Sequence, residues 1–304
     1  MNALEIKNVS KKFGPIVAVD SLSLHVKKGE MFALVGPDGV GKTTLIRMVC
    51  GIVKPDEGDL SVMGFDVRKS IDDVKNRIGY LSQKFSLYGD LTIDENIEFF
   101  AEIHGVWEYK DRREELLEFT RLTPFRSRLA EKLSGGMKQK LALACTLVHT
   151  PEIIFLDEPT TGVDPVSRRD FWKVLSSLLK TGITIVMTTP YLDEAERCNR
   201  VALMNRGKIM VLGTPAEVKK EMNGEIVEIV CSNIRSAFSL LKECSRVKEV
   251  QAFGDRLHVV VGRSVLDVQP MMELLSANAI SVSDWRVVKP TLENVFISLM
   301  TGKN

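Results

Sequence analysis

The sequence predicts an α/β protein with a mainly parallel-sheet core over residues 1–221 and a small α+β domain over residues 222–304. Three observations carry this. Strand-like runs alternate with helical ones through the first part of the chain, the order that builds a parallel sheet covered by helices. A glycine-rich loop separates the apolar run Met31–Val35 from a helical pattern. Beyond residue 222 the order changes to strand, helix, strand, strand, helix, strand.

Residues 3–9 and 22–26 read as strands, and Met31–Val35 as a buried strand that stops at Gly36. The helical pattern that follows starts at Gly41 and ends near Gly51. Residues 52–67, punctuated by Pro55, Gly58 and Gly64, read as a turn-rich hairpin. From about 92 to 150 the pattern is mostly helical, broken at Gly105, Pro124 and Gly135–Gly136. Strand-like runs return at 152–156, 183–188 and 200–204, with the helix Val166–Lys180 among them. In the second domain, 225–231, 248–253, 256–261 and 280–287 read as strands, and 234–244 and 265–277 as helices. A final helix, Leu292–Thr301, follows Pro290.

Hydrophobic residues make up 44% of the 304 and charged residues 27%, a balance that buries a core. A net charge of +1 argues against a dedicated nucleic-acid binder. No apolar stretch approaches the ~20 residues that span a bilayer; the longest, Leu141–Val148, reads as a core helix segment. Met1–Val9 alternates like a strand and lacks the apolar centre of a signal peptide. The expectation is a soluble, cytoplasmic chain that reaches any membrane through a partner. The five cysteines lie far apart with no C-x-x-C pair, so they read as buried free thiols.

Gly36-Pro37-Asp38-Gly39-Val40-Gly41-Lys42-Thr43 fits G-x-x-x-x-G-K-[ST]. Glycines let the backbone fold around an anion with its N–H groups turned inward, and the following helix offers its positive end to phosphates. Lys42 reaches the outer phosphates and the Thr43 hydroxyl ligates Mg²⁺. Nucleoside triphosphate binding follows from this stretch. Ile153–Leu156 is a buried-strand run ending in Asp157-Glu158. A carboxylate at such a strand end belongs with a second Mg²⁺ contact, and Glu158 is placed to orient or deprotonate an attacking water.

Leu133-Ser134-Gly135-Gly136-Met137-Lys138-Gln139 opens an apolar helix with a serine and two glycines, a further anion-binding helix start. Two such starts with one lysine-bearing loop suggest a nucleotide shared between two subunits.

Over residues 3 to about 220 these pieces resemble an ABC ATPase, the ATP-binding subunit of a transporter. The resemblance implies a P-loop nucleotide-binding core, an antiparallel β-subdomain, and a helical subdomain inserted at roughly 85–150. By it, Phe13 stacks on adenine and Thr44 joins the loop residues around the phosphates. Gln83 carries the loop that senses magnesium and water. Ser134, Gly135 and Gly136 form the signature motif, and Asp164, in Thr161-Gly162-Val163-Asp164, lies on the loop that crosses the dimer interface. The implied cofactors are ATP and Mg²⁺. The implied partners are an integral-membrane permease and a second ATPase subunit, with no nucleic acid. The place is the inner face of the cell membrane, reached through the permease. Pro290-Thr291-Leu292-Glu293-Asn294-Val295-Phe296 is similar to the C-terminal extension of drug-resistance and polysaccharide exporters, whose ATPase and permease are separate chains.

The pattern breaks most sharply at one place. Where the family carries a histidine on the γ-phosphate, Ile183–Thr189 is followed here by Pro190, and none of the four histidines (His25, His104, His149, His258) lies near. Proline has no side-chain donor or acceptor. The expectation is slow hydrolysis or a substitute group. A homodimer that tolerates Pro190 and a heterodimer with an active partner both stay open, as does the alternative of a degenerate ATP-binding partner subunit. Asp38 and Met137 stand where Asn and Gln are commoner, and a modest effect is expected from Asp38. A ribosome- or DNA-end-directed ABC protein would carry two ATPase halves or long heptads, and this chain has neither.

Overall fold

The computed structural model describes residues 1–84 and 87–301, and packing divides the chain into two units, Met1–Leu212 and Gly213–Asn304. The expected boundary stood at 221/222; the short helix that opens the second unit begins just after Gly213.

The first unit opens with two long strands, β1 (Asn2–Phe13) and β2 (Ile16–Lys27), joined by a tight turn at Gly14. They extend well beyond the expected 3–9 and 22–26. Their ends alternate less cleanly in hydrophobicity, yet they keep pairing from Asn2↔Lys27 to Phe13↔Ile16. Next come β3 (Met31–Val35) and α1 (Lys42–Val49), then β4 (Glu57–Val62) and β5 (Phe65–Asp66). The expected hairpin over 52–67 is present as β4–β5, and β4 also pairs antiparallel with β1, which completes a four-stranded sheet in the order β2-β1-β4-β5.

After α2 (Ile71–Lys75) and β6 (Ile78–Leu81) comes a helical insertion of α3 (Ile93–Ile103), α4 (Lys110–Thr120) and α5 (Gly135–Leu147). The start expected for it, residues 85 and 86, lies outside the described residues. A capping box opens α3, with Thr92 accepting from the Glu95 N–H and Glu95 accepting from the Thr92 N–H. The core then resumes with β7 (Ile153–Asp157), α6 (Pro165–Lys180), β8 (Thr184–Thr189), α7 (Leu192–Ala195), β9 (Arg200–Asn205) and β10 (Lys208–Gly213).

Together β10-β9-β3-β8-β7-β6 form one sheet. Strands β9, β3, β8, β7 and β6 run parallel. Every residue of β3, β7 and β8 is buried, as strands covered on both faces must be, which explains their near-continuous apolar composition. Because these strands are parallel and adjacent, the carboxyl ends of β3, β8, β7 and β6 share one edge of the sheet. Ligands of open α/β sheets bind there.

The second unit runs α8 (Pro215–Lys220), β11 (Glu225–Cys231), α9 (Ile234–Glu243), β12 (Val247–Phe253), β13 (Arg256–Val261), α10 (Ser264–Ala277), β14 (Val282–Val288) and α11 (Leu292–Thr301). Its sheet is antiparallel throughout, in the order β12-β13-β11-β14. Val227, Ile229, Leu257 and Val259 pack against Ala237 and Leu241 of α9 and Met271 and Leu275 of α10. Asn294 of α11 is fully buried and donates to Gln251 Oε1 (2.7 Å) and His258 Nδ1 (2.8 Å), tying α11 to the sheet. Cys50, Cys145 and Cys198 are buried, but Cys231 and Cys244 are only half-buried, at the ends of a strand and a helix. No described helix is long and apolar enough to cross a membrane.

Candidate active site

The loop between β3 and α1 holds Gly36–Gly41, and the helix it enters begins at Lys42. Gly41 has φ 106°, and a Cβ there would collide with the Ala18 carbonyl, so both conformation and close approach require glycine. Lys42 is buried and directs its three donors inside the protein. Its Nζ lies 2.7 Å from the Gly36 carbonyl, 3.0 Å from the Pro37 carbonyl and 3.1 Å from Glu158 Oε1. Asp38 is almost fully exposed, with Oδ1 3.8 Å from the same ammonium. Gly39 takes a positive φ of 79°, and Val40 and Thr44 are half-buried beside the loop.

Thr43 Oγ1 donates to Asp157 Oδ1 at 3.1 Å, joining the start of α1 to the end of β7. Asp157 Oδ2 is buried with no hydrogen-bond partner among the described residues. A buried carboxylate oxygen left bare costs free energy unless something fills its place. A carboxylate oxygen and a hydroxyl are the hard oxygen donors that Mg²⁺ takes alongside substrate phosphates. The residues present therefore fit this ion.

Glu158 follows with φ 50°, a left-handed conformation that is uncommon for a non-glycine residue and that costs about 1–2 kcal/mol. Its N–H donates to Thr188 Oγ1 (2.9 Å), and Thr188 Oγ1 donates in turn to Asp157 Oδ1 (2.7 Å). On the other carboxylate oxygen, Glu158 Oε2 accepts from Gln83 Nε2 at 3.0 Å and from Thr161 Oγ1 at 3.4 Å. Lys42, Thr43, Asp157, Glu158 and Gln83 thus form one connected cluster at the ends of β3, β7 and β6.

The other expected residues stand apart from that cluster. Phe13 ends β1 half-exposed, with the Lys11 ammonium 5.4 Å from its ring centre. Ser134 caps α5, its Oγ accepting from the Met137 N–H at 3.3 Å, while Gly135 faces open space. Gly136 is needed for packing, since a Cβ would strike Ser167 of α6. No hydrogen bond or ion pair among the described residues joins Ser134, Gly135 or Gly136 to the phosphate loop. Asp164 caps α6 and accepts from the Val166 and Ser167 N–H groups at 3.0 Å each. Hydrogen bonds from the Ser167 side chain and backbone hold its carboxyl below the usual carboxylate range.

Two residues of the site escape a reading of the sequence alone. Thr188 bridges Asp157 and Glu158, as described. Glu194 of α7 is buried and accepts from Thr160 Oγ1 (2.6 Å) and Thr189 Oγ1 (2.8 Å), linking the loop after Glu158 to the strand end before Pro190. The available signal is the pair of hydroxyls closing an otherwise apolar strand. Thr189 also accepts a 3.4 Å hydrogen bond from the Gly36 N–H at its carbonyl, so Pro190 follows directly on a contact with the phosphate loop.

Comparison with known proteins places this geometry. The family described as ABC transporter matches residues 19–161, and the family described as ATP-binding protein DrrA1-3-like, C-terminal domain, matches residues 213–300. The linearmycin resistance ATP-binding protein LnrL of Bacillus subtilis (strain 168) is 32% identical over 99% of this chain and 98% of its own length. The probable multidrug ABC transporter ATP-binding protein YbhF of Escherichia coli (strain K12) is 42% identical over 72% of this chain. That match spans only 38% of YbhF. Among solved structures, a dimeric ATP-binding cassette in a post-hydrolysis state, bound to ADP and Pi, superposes with a TM-score of 0.61. It is 28% identical over 69% of this chain and 98% of that one.

Proposed function

The chain belongs to the ATP-binding proteins of ABC transporters, and on that premise we propose that it binds and hydrolyses Mg-ATP to energise an exporter whose permease is a separate chain. The observation that carries this reading is the cluster of Lys42, Thr43, Asp157, Glu158 and Gln83 on adjacent parallel strand ends. Relatives named for multidrug transport and linearmycin resistance support export as the direction.

Thr43 and Asp157 are the residues that would hold Mg²⁺, which would supply positive charge to offset that of the outer phosphates. The Lys42 ammonium is shared between two loop carbonyls and Glu158. Phosphate oxygens compete for it, so binding turns the ammonium away from Glu158 Oε1. Glu158 keeps the Gln83 and Thr161 donors on Oε2, and Oε1 becomes free to accept a proton from water. Availability of the base is thereby tied to the presence of nucleotide.

The signature helix start is open to solvent and unconnected to its own chain's phosphate loop, which supports a site completed by a second ATPase subunit. ATP that binds the closed pair preferentially biases that state, and loss of the γ-phosphate contacts releases it. Beside Ser82 of the loop that carries Gln83 lies a cavity of about 510 Å³, lined in part by Ile52, Leu81, Phe100, Ile103 and Ala142. Its position supports a docking place for the permease next to the residue that contacts Glu158. Pro190 is the one observation favouring a degenerate partner subunit, and the complete Lys42–Asp157–Glu158–Gln83 cluster speaks against it.

The test is complementation. Lys42→Ala removes the phosphate-loop charge, and Gly135→Asp places a carboxylate in the open signature start. Each chain alone is expected to be inactive. Co-expressed, they form one intact site from two damaged chains and recover roughly a quarter of wild-type turnover, assuming random pairing and independent half-sites. No recovery from the mixture would show that the nucleotide is not shared between subunits.

A further inference from the structure

Strand β14 is an edge of the second unit's sheet, paired to β11 on one side and open on the other. All five of its central residues, Ser283 to Val287, are exposed. Edge strands are usually blunted by lysine, proline, bulges or a covering element. Between Val282 and Val288 there is neither lysine nor proline. The opposite edge, β12, has a register irregularity between Val247 and Glu249 and contacts α11; β14 has one where Val282 and Asp284 pair with Cys231 and Val230, and it contacts α10, so its regular stretch runs from Asp284 onward.

The residues on β14 are complementary to themselves. Trp285, 47% exposed, has Asp284 on one side and Arg286 on the other. When two copies of this strand pair antiparallel about Trp285, Asp284 faces the partner's Arg286 and Arg286 faces the partner's Asp284. On the other face Trp285 meets the partner's Trp285. Directly opposed unlike charges and aromatic pairs both stabilise such a ladder. A slip of two residues in either direction sets Asp284 against the partner's Asp284, or Arg286 against the partner's Arg286. Like charges directly opposite are destabilising, so charge selects one register. A slip of one residue turns the wrong face of the partner.

The faces agree with this pairing. Within the chain, Trp285 and Val287 lie opposite Ile229 and Val227, whose side chains belong to the core beneath α9 and α10. Arg286 lies opposite Glu228 and bonds it at 2.7 Å, yet its side chain remains 60% exposed. Asp284 has no ion-pair partner among the described residues, so an open carboxylate stands beside a partly open guanidinium.

We propose that β14 is a homotypic interface, through which two copies of this chain join their four-stranded sheets into one eight-stranded sheet about Trp285. The contact needs no nucleotide, and it stands or falls separately from the ATP site.

Sedimentation of the full chain without nucleotide and with a chelator tests it. The wild type is expected at twice the chain mass of 34.0 kDa at micromolar concentration. Asp284→Arg and Arg286→Glu, each checked for folding by circular dichroism, should each dimerise at least tenfold more weakly. Mixed together they should pair, because the two neighbouring arginines of one strand then face the two carboxylates of the other. Trp285→Cys adds a readout that involves no charge change: it should cross-link to a dimer under mild oxidation, above the background of the five native cysteines. A monomeric wild type, or charge variants that dimerise like it, would overturn the proposal. Should a charge variant fail to fold, cross-linking of the Trp285→Cys chain decides, its presence supporting the interface and its absence excluding it.

Discussion

Lys42 Nζ lies 3.1 Å from Glu158 Oε1, and both side chains are almost fully buried. The cation proposed to read phosphate and the carboxylate proposed to activate water are thus in direct contact. Each ion is costly to leave alone in a buried site. Glu158→Gln removes the charge that competes with phosphate for Lys42. The substitution is expected to tighten Mg-ATP binding by roughly tenfold, an equilibrium shift of about 1.4 kcal/mol. Titration of both chains with a fluorescent ATP analogue checks this, and unchanged or weaker affinity would contradict the competition.

Thr188 holds both acidic residues, donating to Asp157 Oδ1 and accepting from the Glu158 N–H. Thr188→Val keeps the shape and removes the hydroxyl, leaving a buried carboxylate oxygen and a buried N–H less well satisfied. A loss of about 1–3 kcal/mol in unfolding free energy is expected. The Mg²⁺ concentration for half-maximal turnover should rise as well, with Thr188→Ser restoring both. A valine variant with wild-type Mg²⁺ dependence would remove Thr188 from the site.

His149 stacks on His104 with ring centres 3.9 Å apart, and its Nε2 lies 2.9 Å from the Ile78 carbonyl. Burial first, and then the charge of His104, push the His149 imidazole down to about 4, while the Ile78 hydrogen bond pulls the other way. A histidine depressed in the folded state binds its proton more readily when unfolded. Its effect is absent above pH ~6.5, and stability falls as pH drops from there toward 4. Between pH 7 and pH 5 the loss attributable to His149 is about 2 kcal/mol. Denaturant unfolding at the two pH values should show it in the wild type and not in His149→Gln. Equal losses in both chains would assign the acid sensitivity elsewhere.

Pro190 follows Thr189, whose carbonyl contacts the Gly36 N–H. One positioned donor is worth on the order of 10²–10³ in rate where it meets developing charge. Pro190→His is expected to raise kcat about tenfold or more with little change in KM. Pro190→Ala, which frees the backbone but adds no donor, should leave kcat near wild type. Equal values for His and Ala would mean that another group already fills the place.

The phosphate loop is legible in the sequence because eight consecutive residues carry its chemistry, and Asp157-Glu158 because a buried run ends on them. The union of these pieces with Gln83 depends on strand order, which brings β6 beside β7 although they lie more than 70 residues apart. Thr188 stays hidden for the same reason, since the two hydroxyls that close its strand do not say which residues they bridge. The strand-helix alternation of the second unit is clear in its hydrophobic pattern. Nothing local marks Asn294 as buried, and its burial depends on α11 packing it against Gln251 and His258. The full length of the hairpin β1–β2 escapes the hydrophobic pattern because backbone pairing continues where side-chain alternation fades.

Mg-ATP turnover of the purified wild-type chain, measured beside Glu158→Gln, tests whether the cluster around Lys42 and Glu158 hydrolyses ATP. Wild-type turnover is expected well above that of the variant, by about 10²-fold or more with Glu158 as the base. Wild-type turnover equal to the Glu158→Gln background would contradict it, and the chain would then bind ATP without hydrolysing it.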